Sequence, residues 1–145
     1  MHSNEIEILI VEDNLYDAEL TIRALRKQNL ANKLIHLRDG AEALDFLFAT
    51  GKYATRNPEF VPRVVFLDLK MPKVDGIEVL RTIKSDPRTR SIPVVILTSS
   101  AEDPDVKRCY DLGANSYIVK PVEFENFVKI VTDLGLYWIL INKTS

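Results

Sequence analysis

The stretch VVFLDLKMP, Val64 to Pro72, carries an unbroken apolar, β-branched run into one carboxylate, Asp68. A strand with one wet face alternates polar and apolar residues; this one does not, so both its faces are covered, as happens when helices flank a parallel sheet. Four further runs read as strands: Ile6 to Val11 (IEILIV), Lys33 to Leu37 (KLIHL), Ile92 to Leu97 (IPVVIL) and Ser116 to Val119 (SYIV). The first, third and fourth of the five are the most continuous and are expected at the centre. Between them apolar residues fall at helical spacing, at Ala18, Thr21, Ile22 and Leu25, at Ala43, Leu44, Leu47 and Phe48, and at Gly76, Val79, Leu80 and Ile83. Asp75 with Glu78 has the form of a capping box, Asp103-Pro104 of an N-cap with proline at the first helical position, and Gly113 of a left-handed helix terminator. Five strand-helix alternations with right-handed crossovers give an α/β chain: a (βα)5, doubly wound, parallel five-stranded sheet with helices on both faces.

A chain of 145 residues, 46% hydrophobic and 28% charged, suits a single domain with its own core. No apolar run is long enough to span a bilayer, and MHSNEIE does not lead a basic region into an apolar one, so neither membrane insertion nor export is expected. The lone Cys109 excludes an internal disulfide and a cysteine-based metal site, in keeping with a cytoplasmic protein. A net charge of −2 argues against direct nucleic-acid binding. The segment TGKYATRNPEFVP, residues 50–62, is long for a connection and shows no periodic pattern.

In such sheets ligands bind beyond the carboxyl ends of the strands. The first strand ends in Glu12 and Asp13, the third in Asp68, the fourth in Thr98 and Ser99, and the fifth in Lys120-Pro121. Each alone reads as a cap or a solvated side chain. Together, three close carboxylates resist joint ionisation unless a cation relieves them. An oxygen-only set favours Mg2+ over zinc. A hydroxyl and an ammonium beside such a cation suit phosphate oxygens, and Asp68, on a central strand, is the best-placed nucleophile for an aspartyl phosphate.

With these residues in place, the chain resembles a receiver domain of the two-component response regulators over roughly residues 6–131. The resemblance rests on Glu12-Asp13 in VEDN, Asp68 in LDLKMP with Asp75-Gly76 following, Thr98 in LTSS, and Lys120 in KP with Tyr117 three places earlier. It implies the flavodoxin-like strand order 2-1-3-4-5, with Asp68 as phosphoacceptor. Mg2+ is then bound by Asp13, Asp68 and the Lys70 backbone carbonyl, with Glu12 acting through a water, and Thr98 and Lys120 hold the phosphoryl group. It also implies a switch pairing Thr98 with Tyr117, a cis Lys120-Pro121 bond, and tuning of phosphoryl lifetime by Lys70 and Ser100. Many receivers carry Asp-Asp where this chain has Glu12-Asp13, and the longer side chain still reaches a bound water. The insert at 50–62, the run IKSDPRTRSIPVVILTSS and the ending LGLYWILIN are similar to the single-domain regulators of bacterial, cyanobacterial-type phytochrome histidine kinases.

The resemblance makes the expected partner a sensor histidine kinase, of phytochrome type, and the chain a signalling phosphoacceptor rather than an enzyme acting on other substrates. After the fifth helix, opened near Glu123, the sequence leads to the expectation of no output domain. The last helix presents Phe124, Phe127, Val128, Val131 and Leu134 inward, while Ile130, Leu136, Tyr137, Trp138, Leu140 and Ile141 add apolar bulk at other angles. That extension, about residues 134–142, either folds over its own core or joins a homodimer through the fourth helix, fifth strand and fifth helix, with Trp138 near the contact. His2 and His36 read as structural or solvated. Three alternatives remain. A haloacid-dehalogenase-type aspartyl-phosphate phosphatase wants a second carboxylate where Lys70 stands. A nucleotide-binding module wants a glycine pattern that Gly40, Gly51, Gly76, Gly113 and Gly135 do not form. A receiver that docks without being phosphorylated would not need the complete acceptor set.

Overall fold

The computed structural model describes residues 6–26, 34–71 and 74–136. Along them strands and helices alternate: β1 (Ile8–Val11), α1 (Leu15–Arg26), β2 (Leu34–Leu37), α2 (Gly40–Phe48), β3 (Val64–Asp68), α3 (Gly76–Ser85), β4 (Val94–Thr98), α4 (Pro104–Asp111), β5 (Ser116–Val119) and α5 (Phe124–Asp133). All strand pairings are parallel, in the order β2-β1-β3-β4-β5. This is the doubly wound sheet expected from the apolar runs, with β1, β3 and β4 at the centre and every residue of those three strands buried. β1 and β4 begin two residues later than the apolar runs suggest, with Ile6 and Glu7 preceding β1 and Ile92 and Pro93 preceding β4, while β3 and β5 begin at Val64 and Ser116 as expected.

Side-chain alternation along each strand divides the core in two. Leu9, Val11, Val65, Leu67, Val94 and Ile96 face α2 and α3, packing on Ala43, Phe46, Leu47, Val79, Leu80 and Ile83. Ile8, Ile10, Val64, Phe66, Val95, Leu97 and Ile118 face α1 and α5, packing on Leu25, Phe127 and Val131. Phe66 and Phe127 meet there with ring centroids 5.6 Å apart. The α3 stripe sits as its spacing implies, and on α1 Ala18, Thr21 and Leu25 are buried together with Ala24 while Ile22 is half-buried. On α2, however, Phe46 is buried while Leu44 and Phe48 are only half-buried, because the core stripe runs through Ala43, Phe46 and Leu47.

Caps follow the sequence signals. Asp75 accepts from the Glu78 N–H at 3.0 Å and Asp103 from the Asp105 N–H at 2.9 Å, and Gly113 follows α4 at φ +108°. Gly76 is required for close approach: its N–H donates to the Leu69 carbonyl at 3.0 Å, and a Cβ there would collide with the Asp68 carbonyl oxygen. The α3 start therefore rests directly on the backbone of the residue at the end of β3. The segment 50–62 contains one 3-10 turn (Gly51–Tyr53) and is pinned to α2. The Tyr53 hydroxyl donates to Glu42 at 2.8 Å, its ring meets Phe46 edge-on, and the Arg56 guanidinium stacks 4.2 Å above the Phe46 ring. Residues 137–145 lie outside the described part of the chain, and with them Trp138 and the end of the apolar extension.

Candidate functional site

Sheet register places the acidic and basic side chains before any tertiary adjustment. Val11 pairs with Leu67, so Glu12 stands level with Asp68; Asp68 pairs with Leu97, and Thr98 with Val119, so Lys120 lies one step past Thr98. Strand parity then sorts them. Glu12 continues Ile8 and Ile10, Asp68 continues Val64 and Phe66, and Lys120 continues Ile118, all on the α1/α5 face. Thr98 continues Val94 and Ile96 on the opposite face, where Tyr117 also packs.

The α1/α5 side of this edge is a charged knot. Lys120 Nζ donates to Asp17 Oδ2 at 3.0 Å, Glu12 Oε1 at 3.2 Å and Asp68 Oδ1 at 3.4 Å. Glu12 and Asp68 are buried, and the Lys120 side chain is 16% exposed. Glu12, Asp13 and Asp68 each offer an oxygen such that all three lie within 4.8 Å of one another. This donor set, three carboxylates with no nitrogen or sulfur, fits a hard divalent cation. His36 lies beside the cluster on β2, its Nε2 2.7 Å from the Glu12 backbone carbonyl, which gives it the structural role expected.

Burial governs the protonation of this group. It raises the Glu12 pKa from 4.5 to about 7, helped by the Asp68 charge and by a hydrogen bond to Asp68, and opposed by the Asn14 N–H and by Lys120. Asp68 is also raised by burial, while hydrogen bonds from Glu12, Lys120 and the Lys70 N–H oppose the rise. For Lys120, burial disfavours the charged form, but Asp17 first, then Asp68 and Glu12, outweigh it and hold the ammonium above its ordinary value. A cation between the carboxylates would replace the proton that Glu12 otherwise keeps.

The remaining residues of interest are nearby with different partners. The Thr98 hydroxyl donates to the Ser100 carbonyl at 3.1 Å, and the Ser100 N–H returns to Thr98 Oγ1 at 3.3 Å. Tyr117 is half-buried, its ring edge-on to Tyr110 of α4 at 6.2 Å. The Lys70 side chain is 72% exposed and turns away to Asp103, the α4 N-cap, at 3.8 Å. The Lys120-Pro121 bond is cis.

One member of the knot was not legible as such. Asp17 looks in sequence like an acidic residue in the first turn of a helix, where it complements the helix dipole. The available signal is its place four residues after Asp13, one helical turn beyond the acidic pair. Its N–H bonds to the Asn14 side chain at 2.9 Å, which fixes that turn against the strand ends.

Residues 8–132 match the family of the response regulator receiver domain. Among curated proteins, the probable methanogenesis regulatory protein FilR2 of Methanothrix harundinacea is 42% identical over 94% of this chain and 86% of its own length. Among solved structures, the bacteriophytochrome response regulator AtBRR superposes with TM-score 0.84 at 55% identity, covering 95% of this chain and 98% of that one. The Mn(2+)-bound form of response regulator Rcp1 superposes with TM-score 0.74 at 36% identity, covering 97% of each chain. No helix among the described residues is long and apolar enough to cross a membrane.

Proposed function

This chain belongs to the response regulator receiver domain family, and from that premise we propose that it accepts a phosphoryl group on Asp68 from a partner histidine kinase. The observation that carries the reading is the convergence of Lys120 on Asp68 and Glu12 at the carboxyl edge of the sheet, beside a carboxylate cluster fit for a cation. An Asp68 carboxylate oxygen attacks the phosphorus in line; the new O–P bond forms as the P–N bond to the donor histidine breaks, and the electron pair leaves with the imidazole. Asp13, Asp68 and the Lys70 carbonyl would hold Mg2+ in this reading, with Glu12 acting through a water, and the ion would neutralise the incoming phosphoryl oxygens. Lys120 supplies the second positive charge.

Thr98 and Tyr117 form the switch in this reading. The Thr98 hydroxyl leaves the Ser100 carbonyl for a phosphoryl oxygen, and Tyr117, on the same face of the sheet, moves into the space behind it. The changed surface is α4-β5-α5, where Tyr110 and Val119 are exposed at 43% and 37%. We assign the homodimer contact to this surface, and light scattering at micromolar concentration tests it, since a monomer in both phosphorylation states refutes it. Lys70 and Ser100, two places beyond Asp68 and Thr98, tune the lifetime of the acyl phosphate in this reading.

The similarity to the bacteriophytochrome response regulator AtBRR supports a phytochrome histidine kinase as the partner. Incubation with Mg2+ and acetyl phosphate, followed by intact mass, tests the central step. One added phosphate in the wild type, absent in Asp68→Asn, is the expected result; an unmodified wild type overturns the assignment.

A further inference from the structure

Lysine has three ammonium protons, and those of Lys120 face three carboxylate acceptors, Asp17, Glu12 and Asp68. The three are not equivalent. Glu12 and Asp68 belong to the cluster that offers oxygens to a cation, so a bound ion competes with Lys120 for both. Asp68 also changes character when it gains a phosphoryl group. Asp17 stands outside that cluster, makes the shortest of the three contacts, and is carried by the first turn of α1. That turn is fixed at both ends of the residue: the Asp17 N–H donates to Asn14 Oδ1 at 2.9 Å, and its carbonyl accepts from the Thr21 hydroxyl at 3.1 Å.

We propose that Asp17 is a positioning residue for phosphoryl transfer: it anchors the Lys120 ammonium from α1, so that a remaining N–H is directed at Asp68, where the phosphoryl oxygens arrive. A lysine side chain has four rotatable bonds, and free in a loop it samples many rotamers. Held at one acceptor independent of both the cation and the reaction, it meets the developing phosphoryl charge without reorganising. The inference rests on the phosphoacceptor reading above and adds a residue on a different element to it. It also gives α1, through Asp17, a direct mechanical connection to the β5-α5 loop that carries Lys120.

The test compares acetyl phosphate-driven phosphorylation rates of wild type, Asp17→Ala, Lys120→Met and the double variant, together with Mg2+ affinity by calorimetry and the 1H–15N signal of the Lys120 ammonium. Asp17→Ala is expected to slow phosphorylation about tenfold, to leave Mg2+ affinity within about twofold, and to have no further effect when Lys120 is already methionine. The ammonium signal, sharp in wild type because all three protons are bonded, should broaden or vanish in Asp17→Ala. A wild-type rate in Asp17→Ala, or an equal loss in the Lys120→Met background, overturns the proposal. Should Lys120→Met show no measurable phosphorylation, the ammonium signal decides, and its retention in Asp17→Ala refutes the anchor. A wild type that takes no phosphate while its ammonium signal depends on Asp17 refutes the phosphoacceptor reading instead.

Discussion

Replacing Glu12 by glutamine removes the proton that couples this site to pH. Glu12 is 1% exposed, and its carboxyl sits near 7 rather than at 4.5 because burial and the neighbouring Asp68 disfavour its charge. Between those two values the folded chain keeps a proton that the unfolded chain has released. Stability is therefore fully present at the acid end of the window and is lost as pH rises towards 7. At about 1.4 kcal/mol for each pH unit of displacement, the loss is about 3 kcal/mol, or roughly 6–12 °C in Tm for a domain of this size. Burial raises Asp68 in the same direction, whereas the lowered carboxyls of Glu42 and Asp86 change stability only below the window. Urea unfolding without metal should show wild-type stability falling between about pH 5 and about pH 7.5, and a much flatter profile in Glu12→Gln. Saturating Mg2+ should restore the wild type most at the upper pH, where the repelling carboxylates are ionised. Parallel profiles in wild type and Glu12→Gln, or a metal effect greater at the lower pH, would refute the electrostatic account.

Other perturbations address the scaffold around the site. Gly76→Ala drives a Cβ into the Asp68 carbonyl and should cost about 1–3 kcal/mol in urea unfolding while slowing phosphorylation, since α3 must shift the backbone that carries the acceptor. Phe127→Ala empties the contact with Phe66 under α5 and should cost about 3–5 kcal/mol by the same measurement, with Mg2+ binding retained in the folded fraction. Cys109 is buried, and burial, then the Asp105 and Asp103 charges, push its thiol up to about 11. A disulfide reagent near neutral pH should label native protein only as fast as it opens, and labelling at the rate of a free thiol would contradict the buried position. Lys70→Ala removes a long, 3.8 Å ion pair with Asp103 whose lysine end is exposed and should change stability by less than about 1 kcal/mol, so any large effect should be confined to the decay of the phosphorylated state.

The fold was legible because its signal is local. Helices covering both faces of a parallel sheet require continuous apolar strands, and β1, β3 and β4 carry them within four or five residues each. Helix starts were legible for the same reason, since Asp75 and Asp103 cap within their own first turns. The α2 stripe was placed less well because the residues after Phe48 fold back on that helix. Arg56 and Tyr53 cover Phe46 from outside, and no period within residues 50–62 announces it.

For the site, the sequence by itself determined the strand-end residues, and strand parity determined which face each one takes. Glu12, Asp68 and Lys120 share one face, and Thr98 and Tyr117 share the other, because alternation is a property of the extended backbone. Only the tertiary structure decided that α1 lies over the sheet at the angle that brings Asp17 within 3.0 Å of Lys120. It also decided that the Lys70 side chain leaves the site for Asp103, and that the Thr98 hydroxyl is occupied by Ser100. The Asp17–Lys120 and Lys70–Asp103 contacts join residues on different elements, where position depends on how whole faces pack, and no spacing along the chain encodes that packing; the Thr98–Ser100 contact is set by the conformation of the loop after β4.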